Sequence, residues 1–140
     1  MRQILLFAAL AASLALLSGC ALSKAKEDKA EDMSDKAAYH KLSAEEAYEM
    51  MASQEVVVVD VRTREEYDGG HIENAVLVPN ESIGSEMPDA LPDKEATLLI
   101  YCRSGRRSKD AAQKLLALGY QSVYDFGGVI DWPYELVKEG

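Results

Sequence analysis

The chain has 140 residues, enough for one domain of about 100 residues that buries a core without disulfide staples, plus appendages. Its 24 Asp and Glu against 15 Lys and Arg leave a formal net charge of -9. That balance excludes a broad phosphate-binding face and so nucleic acid as a partner; an anion site has to be local, made of a few arginines and backbone N–H groups.

Taken in chain order, the first segment is an address. Met1-Arg2-Gln3 carries one basic side chain, and Ile4 to Leu17 is an uncharged, Ala- and Leu-rich run. The run is short for a bilayer span and stands where a signal-peptide core belongs. Leu17-Ser18-Gly19-Cys20 resembles a bacterial lipobox. The resemblance implies a lipoprotein signal peptide over residues 1–19, lipidation of Cys20 and an extracytoplasmic chain held to a membrane by that lipid. Residues 20–38 are small and charged, with no aromatic residue and no apolar stripe, and read as a flexible tether. Residues 39–140 form the domain. Cys102 is then the one free thiol of the mature chain, and such a leftover thiol in an exported protein points to reactivity or to an intermolecular link.

Within the domain, Tyr39 to Leu42 reads as a short strand. Ser43 with Glu46 has capping-box spacing and starts a helix that runs to about Ser53. Glu55 to Val61, centred on Val56 to Val59, is a β-branched run suited to a strand buried on both faces. Thr63 with Glu66 repeats the capping box and opens a short helix stopped at Gly69-Gly70. Ala75 to Val78 is a brief strand ended by Pro79, and 80–95 is loop with at most a helical turn. Thr97 to Tyr101 is a second buried strand, Ser108 to Leu118 a helix ended at Gly119, and Ser122 to Phe126 a last strand. Gly127-Gly128 turns the chain into a closing helix over Val129 to Lys138. Alternating strands and helices predict an α/β fold with a mostly parallel sheet, which binds ligands beyond the carboxyl ends of its strands.

The chemistry concentrates at such an end. Tyr101-Cys102-Arg103-Ser104-Gly105-Arg106-Arg107-Ser108 joins a buried strand to a helix. This places Cys102 on an exposed loop whose successive N–H groups turn inward, with a helix N-terminus and three arginines adding positive potential. Each of these effects favours thiolate over thiol. Cys102 is therefore the candidate nucleophile, and Arg103, Ser104, Gly105, Arg106 and Arg107 the candidate substrate-binding loop.

Three motifs in order now resemble one family. They are Asp60-Val61-Arg62 with Glu66-Tyr67, Gly70-His71-Ile72, Ala75 and Pro79; then Cys102 to Ser108; then Gly127-Gly128 with Trp132. From about Tyr39 onward the chain resembles a rhodanese-like domain. The resemblance implies a central, mostly parallel five-stranded sheet flanked by helices. It implies transfer of sulfane sulfur, through a Cys102 persulfide, from a small anionic donor such as thiosulfate to a thiophilic acceptor, a thiol or a protein, without metal or organic cofactor. Arg103 and Arg107 are expected to draw in the donor, while Arg106 is divided between that role and simple solvation. Asp60 is implied as a support of the loop with Arg62 as its neighbour, His71 as structural, and Trp132 and Tyr134 as packing. One departure bears on the donor: some two-domain, thiosulfate-using members have arginine where this sequence has Glu66, and a carboxylate there repels a dianion. Two other readings use the same fold. A phosphatase or arsenate reductase of the Cys-x5-Arg type would need arginine at 108, where Ser108 stands, and a non-enzymatic persulfide carrier would load once and await a partner protein.

Overall fold

The computed structural model describes residues 38–139. The readings of residues 1–37, including the signal peptide, lipidation at Cys20 and most of the tether, lie outside them. The described elements are β1 (His40–Lys41), α1 (Ala44–Ser53), β2 (Val57–Asp60), α2 (Arg64–Asp68), β3 (Val76–Leu77), β4 (Thr97–Cys102), α3 (Arg106–Ala117) and β5 (Ser122–Gly128). The strands form one sheet in the order β1-β5-β4-β2-β3, every pair parallel.

Strand periodicity sorts the core into two layers. Leu98, Ile100 and Cys102 of β4 face the layer that holds Ala111, Ala112 and Leu115 of α3. The alternate residues Leu99 and Tyr101 face the layer that holds Ala47 of α1 and Tyr67 of α2. A strand covered on both sides needs apolar residues at every position, which is why the Val56 to Val59 and Leu98 to Ile100 runs show no alternation. The nucleophile candidate thus belongs to the α3 layer.

Both capping boxes form. Ser43 Oγ accepts the Glu46 amide at 3.1 Å while Glu46 accepts the Ser43 amide at 2.7 Å. Thr63 Oγ1 accepts the Glu66 amide at 3.3 Å and Glu66 accepts the Thr63 amide at 3.1 Å.

Three boundaries differ from the sequence reading, each for a local reason. Helix α3 begins at Arg106, two residues before Ser108, because Gly105 adopts φ 100° and closes the turn early. Gly127-Gly128 does not turn the chain: β5 runs through both, and its register against β4 shifts by one residue between Ile100 and Cys102. Gly127, at φ 89°, absorbs the extra residue as a bulge. The closing helix is absent. Val129–Asp131 makes a single 3-10 turn, Trp132 is extended ahead of Pro133, and Val137 instead pairs with His71, their amides and carbonyls meeting at 2.9 and 2.8 Å. Proline removes a donor and disfavours helical angles in the residue before it, so the helix stops where it starts.

Candidate active site

Cys102 is the last residue of β4 and is only 1% exposed, so the expected exposed loop is instead a buried strand end. The Gly105 amide donates to its sulfur at 3.0 Å. Burial pushes the thiol up, but the N–H groups of Ser108, Gly105 and Ser104, with the Ser108 hydroxyl also within reach of the sulfur, more than offset it and hold the thiol below its ordinary value. The N-terminus of α3 points at the same spot and favours an anion there.

The loop lies against the end of β5. Gly128 pairs with Cys102, and the Ile130 amide donates to the Arg103 carbonyl at 3.2 Å. A Cβ on Gly128 would sit 2.6 Å from Arg103 C and 2.6 Å from Ser104 Cα, so only glycine lets the two backbones approach this closely. Above the loop, Arg103, Ser104, Arg106 and Arg107 share a cleft of about 590 Å3 with Asn80, Glu81 and Asp110.

The three arginines are not equivalent. Arg103 and Arg106 are exposed, and neither enters an ion pair among the described residues. Arg107 is held by Glu66 through two parallel bonds of 2.8 Å, from Nη1 to Oε2 and from Nη2 to Oε1. Arg107, expected to draw in a donor, thus has its charge matched by a carboxylate that comes from α2, 41 residues earlier in the chain. The Arg107 guanidinium, opposed by burial and helped by the Thr63 amide, holds the Glu66 carboxyl down at about 2.

That depression carries a stability consequence. The folded carboxyl titrates below its unfolded counterpart, so the pair stabilises the fold fully above about pH 4.5 and loses its contribution as pH falls towards 2. Glu66→Gln, which can still accept the Thr63 amide, is expected to be less stable than the parent near neutral pH and equal to it near pH 2. Urea unfolding of both proteins at several pH values checks this; a stability gap independent of pH would contradict it.

Asp60 and Arg62 are buried together beneath the end of the sheet. Arg62 Nε and Nη2 reach the Asp60 carboxylate at 2.9 and 2.6 Å, and Arg62 Nη2 also donates to the Gly70 carbonyl at 2.8 Å. The Tyr101 hydroxyl donates to Asp60 at 2.7 Å and accepts the Ile72 amide at 3.1 Å. Among the described residues Asp60 bonds to Arg62 and Tyr101 and not to residues 103–107, so the implied support of the loop is indirect. It pins Tyr101, next to Cys102, and the turn that ends α2, which carries Glu66. His71, which the resemblance implied to be structural, has its Nδ1 2.9 Å from the Tyr67 carbonyl and its ring stacked on Tyr67. Trp132 and Tyr134 pack with Tyr48, away from the sulfur.

Asp125 is the residue that sequence reasoning missed. It is wholly buried in β5 and accepts hydrogen bonds from Tyr39, Lys41, Ser108 and the Gly127 amide. The signal was an acidic residue inside the apolar run Val123-Tyr124-Asp125-Phe126.

Fold and site together define an α/β protein with a buried thiol at a strand end, facing the amides of the loop that leads into α3. The chain belongs to the rhodanese-like domain family, whose model matches residues 43–133. A tRNA uridine(34) hydroxylase of Yersinia pestis is 32% identical over 106 residues, covering 72% of this chain but 30% of that protein, so the chain spans under a third of this relative. Among solved structures, E. coli rhodanese with anions is 33% identical, covers 61% of this chain and 100% of the other, and superposes with a TM-score of 0.55. A human single-domain sulfurtransferase is 28% identical, with 66% and 93% of the two chains covered and a TM-score of 0.59.

Proposed function

We propose that the protein is a sulfurtransferase that carries sulfane sulfur on Cys102. The observation that supports this most is the Cys102 sulfur at the end of β4, held by the Gly105 amide at 3.0 Å at the start of the loop whose Arg103, Arg106 and Arg107 line a cleft. The thiolate attacks the outer sulfur of a donor such as thiosulfate. The sulfur–sulfur bond breaks, its electron pair leaves with sulfite, and Cys102 keeps a terminal sulfur anion. Loop N–H groups stabilise that anion, and a thiol or protein acceptor then takes the sulfur and returns the thiolate. The reading calls for no metal or organic cofactor. The kinship with a human sulfurtransferase supports it; the hydroxylase activity belongs to a much longer protein and is not carried over.

A phosphatase reading fits the loop less well. The position that a Cys-x5-Arg loop gives to arginine is Ser108, and Arg107 is locked to Glu66 rather than free to embrace a tetrahedral oxyanion. Intact mass spectrometry after incubation with thiosulfate tests the proposal. One added sulfur on Cys102, removed by a thiol or cyanide, is expected, with repeated release of sulfite. No added sulfur from thiosulfate or from an organic persulfide would refute it.

Membrane attachment through Cys20 belongs to the same proposal and rests on the apolar run that ends in Leu17-Ser18-Gly19-Cys20. Growth of an expressing bacterium with labelled palmitate should mark the full chain and leave a Cys20→Ala variant unmarked. Equal labelling of both would remove the anchor from the reading.

A further inference from the structure

The cleft beside the Cys102 loop holds about 590 Å3, a volume in the range that receives organic ligands and far larger than a small inorganic ion fills. Arg103 and Ser104, the two residues that follow Cys102, line it, so a ligand seated there lies against the loop that holds the sulfur.

Five charged side chains line the cleft, and the fold has already matched two of them. Arg107 is bound by Glu66 through both terminal nitrogens at 2.8 Å. Asp110 lies 2.9 Å from Lys114 Nζ and accepts the Asn80 side-chain amide at 2.8 Å. The other three, Arg103, Arg106 and Glu81, are exposed and enter no ion pair among the described residues. Two guanidiniums against one carboxylate leave one excess positive charge. An inorganic dianion such as thiosulfate can engage the guanidiniums, but it has nothing to offer Glu81, which repels it. A thiol that bears both a carboxylate and an ammonium answers all three groups. As a thiolate it has one excess negative charge, the complement of the cleft. Complementary charge of this kind decides which ligand is accepted more than how tightly it is held.

We propose that the sulfur acceptor is a small aminothiol acid, with cysteine as its simplest form. Glu81 selects it by receiving its ammonium, while Arg103 and Arg106 receive its carboxylate. The acceptor thiolate attacks the terminal sulfur of the Cys102 persulfide. A sulfur–sulfur bond forms to the acceptor, the bond to Cys102 breaks, and its electron pair returns to the Cys102 sulfur as thiolate. The acceptor leaves as a persulfide, with no net oxidation or reduction and no further reactant. The inference rests on the sulfurtransferase reading and narrows its acceptor.

The test loads Cys102 of the full chain from thiosulfate or an organic persulfide and confirms the added sulfur by mass. Discharge is then followed with three thiols: cysteine, cysteamine, which lacks the carboxylate, and 3-mercaptopropionate, which lacks the ammonium. Each rate constant is read as the ratio of Glu81→Gln to parent, which cancels the differing reactivities of the thiols. With cysteine and with cysteamine the rate is expected to fall about fivefold, the upper range for an ion pair open to water. With 3-mercaptopropionate it should hold or rise, since a repelling carboxylate is gone. None of the three thiolates is net positive, so a plain loss of negative field slows none of them; only a contact with the ammonium does. Glu86→Gln removes the same charge from the same loop outside the cleft and should leave all three ratios near one. A ratio of one or above for cysteine or cysteamine would overturn the inference and leave the sulfurtransferase reading standing. So would an equal fall with all three thiols, the mark of a structural role for Glu81. A Cys102 that takes up no sulfur at all would overturn both.

Discussion

Cys102→Ser is expected to reduce sulfur transfer to the detection limit while the protein still unfolds cooperatively. The transferred sulfur is covalently bound to residue 102 in the intermediate, so no neighbouring group can substitute for it. A serine hydroxyl is scarcely ionised near neutral pH and its oxygen forms no persulfide, so the N–H groups that favour the thiolate have no comparable anion to hold. The structural cost is small but real. Cys102 is 1% exposed and packs among Val59, Ile100, Ala111 and Ala112, so the hydroxyl enters an apolar layer with the Gly105 amide as its donor. A loss of about 1 kcal/mol in unfolding free energy follows, where an exposed loop would have given none. Sulfite release measured beside urea unfolding checks both parts. Sulfite release by Cys102→Ser near the parent rate would end the sulfurtransferase reading.

Gly128→Ala is expected to damage the same loop from outside it. Gly128 has ordinary extended angles, φ -127°, so the substitution strains no backbone preference; the obstacle is space. The new methyl would meet Arg103 C and Ser104 Cα at 2.6 Å, and these are main-chain atoms that cannot rotate away. Either the Arg103-Ser104 segment lifts off β5, which moves Gly105 from its 3.0 Å contact with the sulfur, or β5 loses its pairing with Cys102. Overpacking of this kind costs about 1–3 kcal/mol of stability. Activity should fall further, by roughly a hundredfold, because an anion cradle displaced by about an ångström no longer stabilises the charge it was built around. Gly84→Ala is the control, since nothing lies within 4 Å of a Cβ at that exposed position. Parent-like sulfur transfer in Gly128→Ala would show that the loop is not seated on β5 as described.

The two capping boxes were legible because their donors and acceptors lie three residues apart, and α1 and α2 begin where Ser43 and Thr63 place them. The buried strands were legible as apolar runs. The closing helix expected over Val129 to Lys138 does not form: Pro133 and the pairing of Val137 with His71 hold the segment extended. The end of β5 also differs from the expected turn. Two consecutive glycines signal a turn, whereas here one forms a bulge and the other makes room for a neighbouring loop.

The sequence by itself determined the class of the protein. Alternating runs set the α/β order, and Cys102 to Ser108 between a strand and a helix placed the thiol and its N–H donors, because that geometry depends only on adjacent residues. Tertiary structure alone decided the charge around the sulfur. Arg107 meets Glu66 across 41 residues, and Ser108 meets Asp125 across 17, only because β5 and β2 flank β4. Local propensity acts over a few residues, while an ion pair or a shared proton depends on distances that exist only once the strands have chosen their neighbours. Composition therefore counts three arginines at the loop, and the fold leaves Arg103 and Arg106 outside any ion pair among the described residues while it ties Arg107 to a carboxylate.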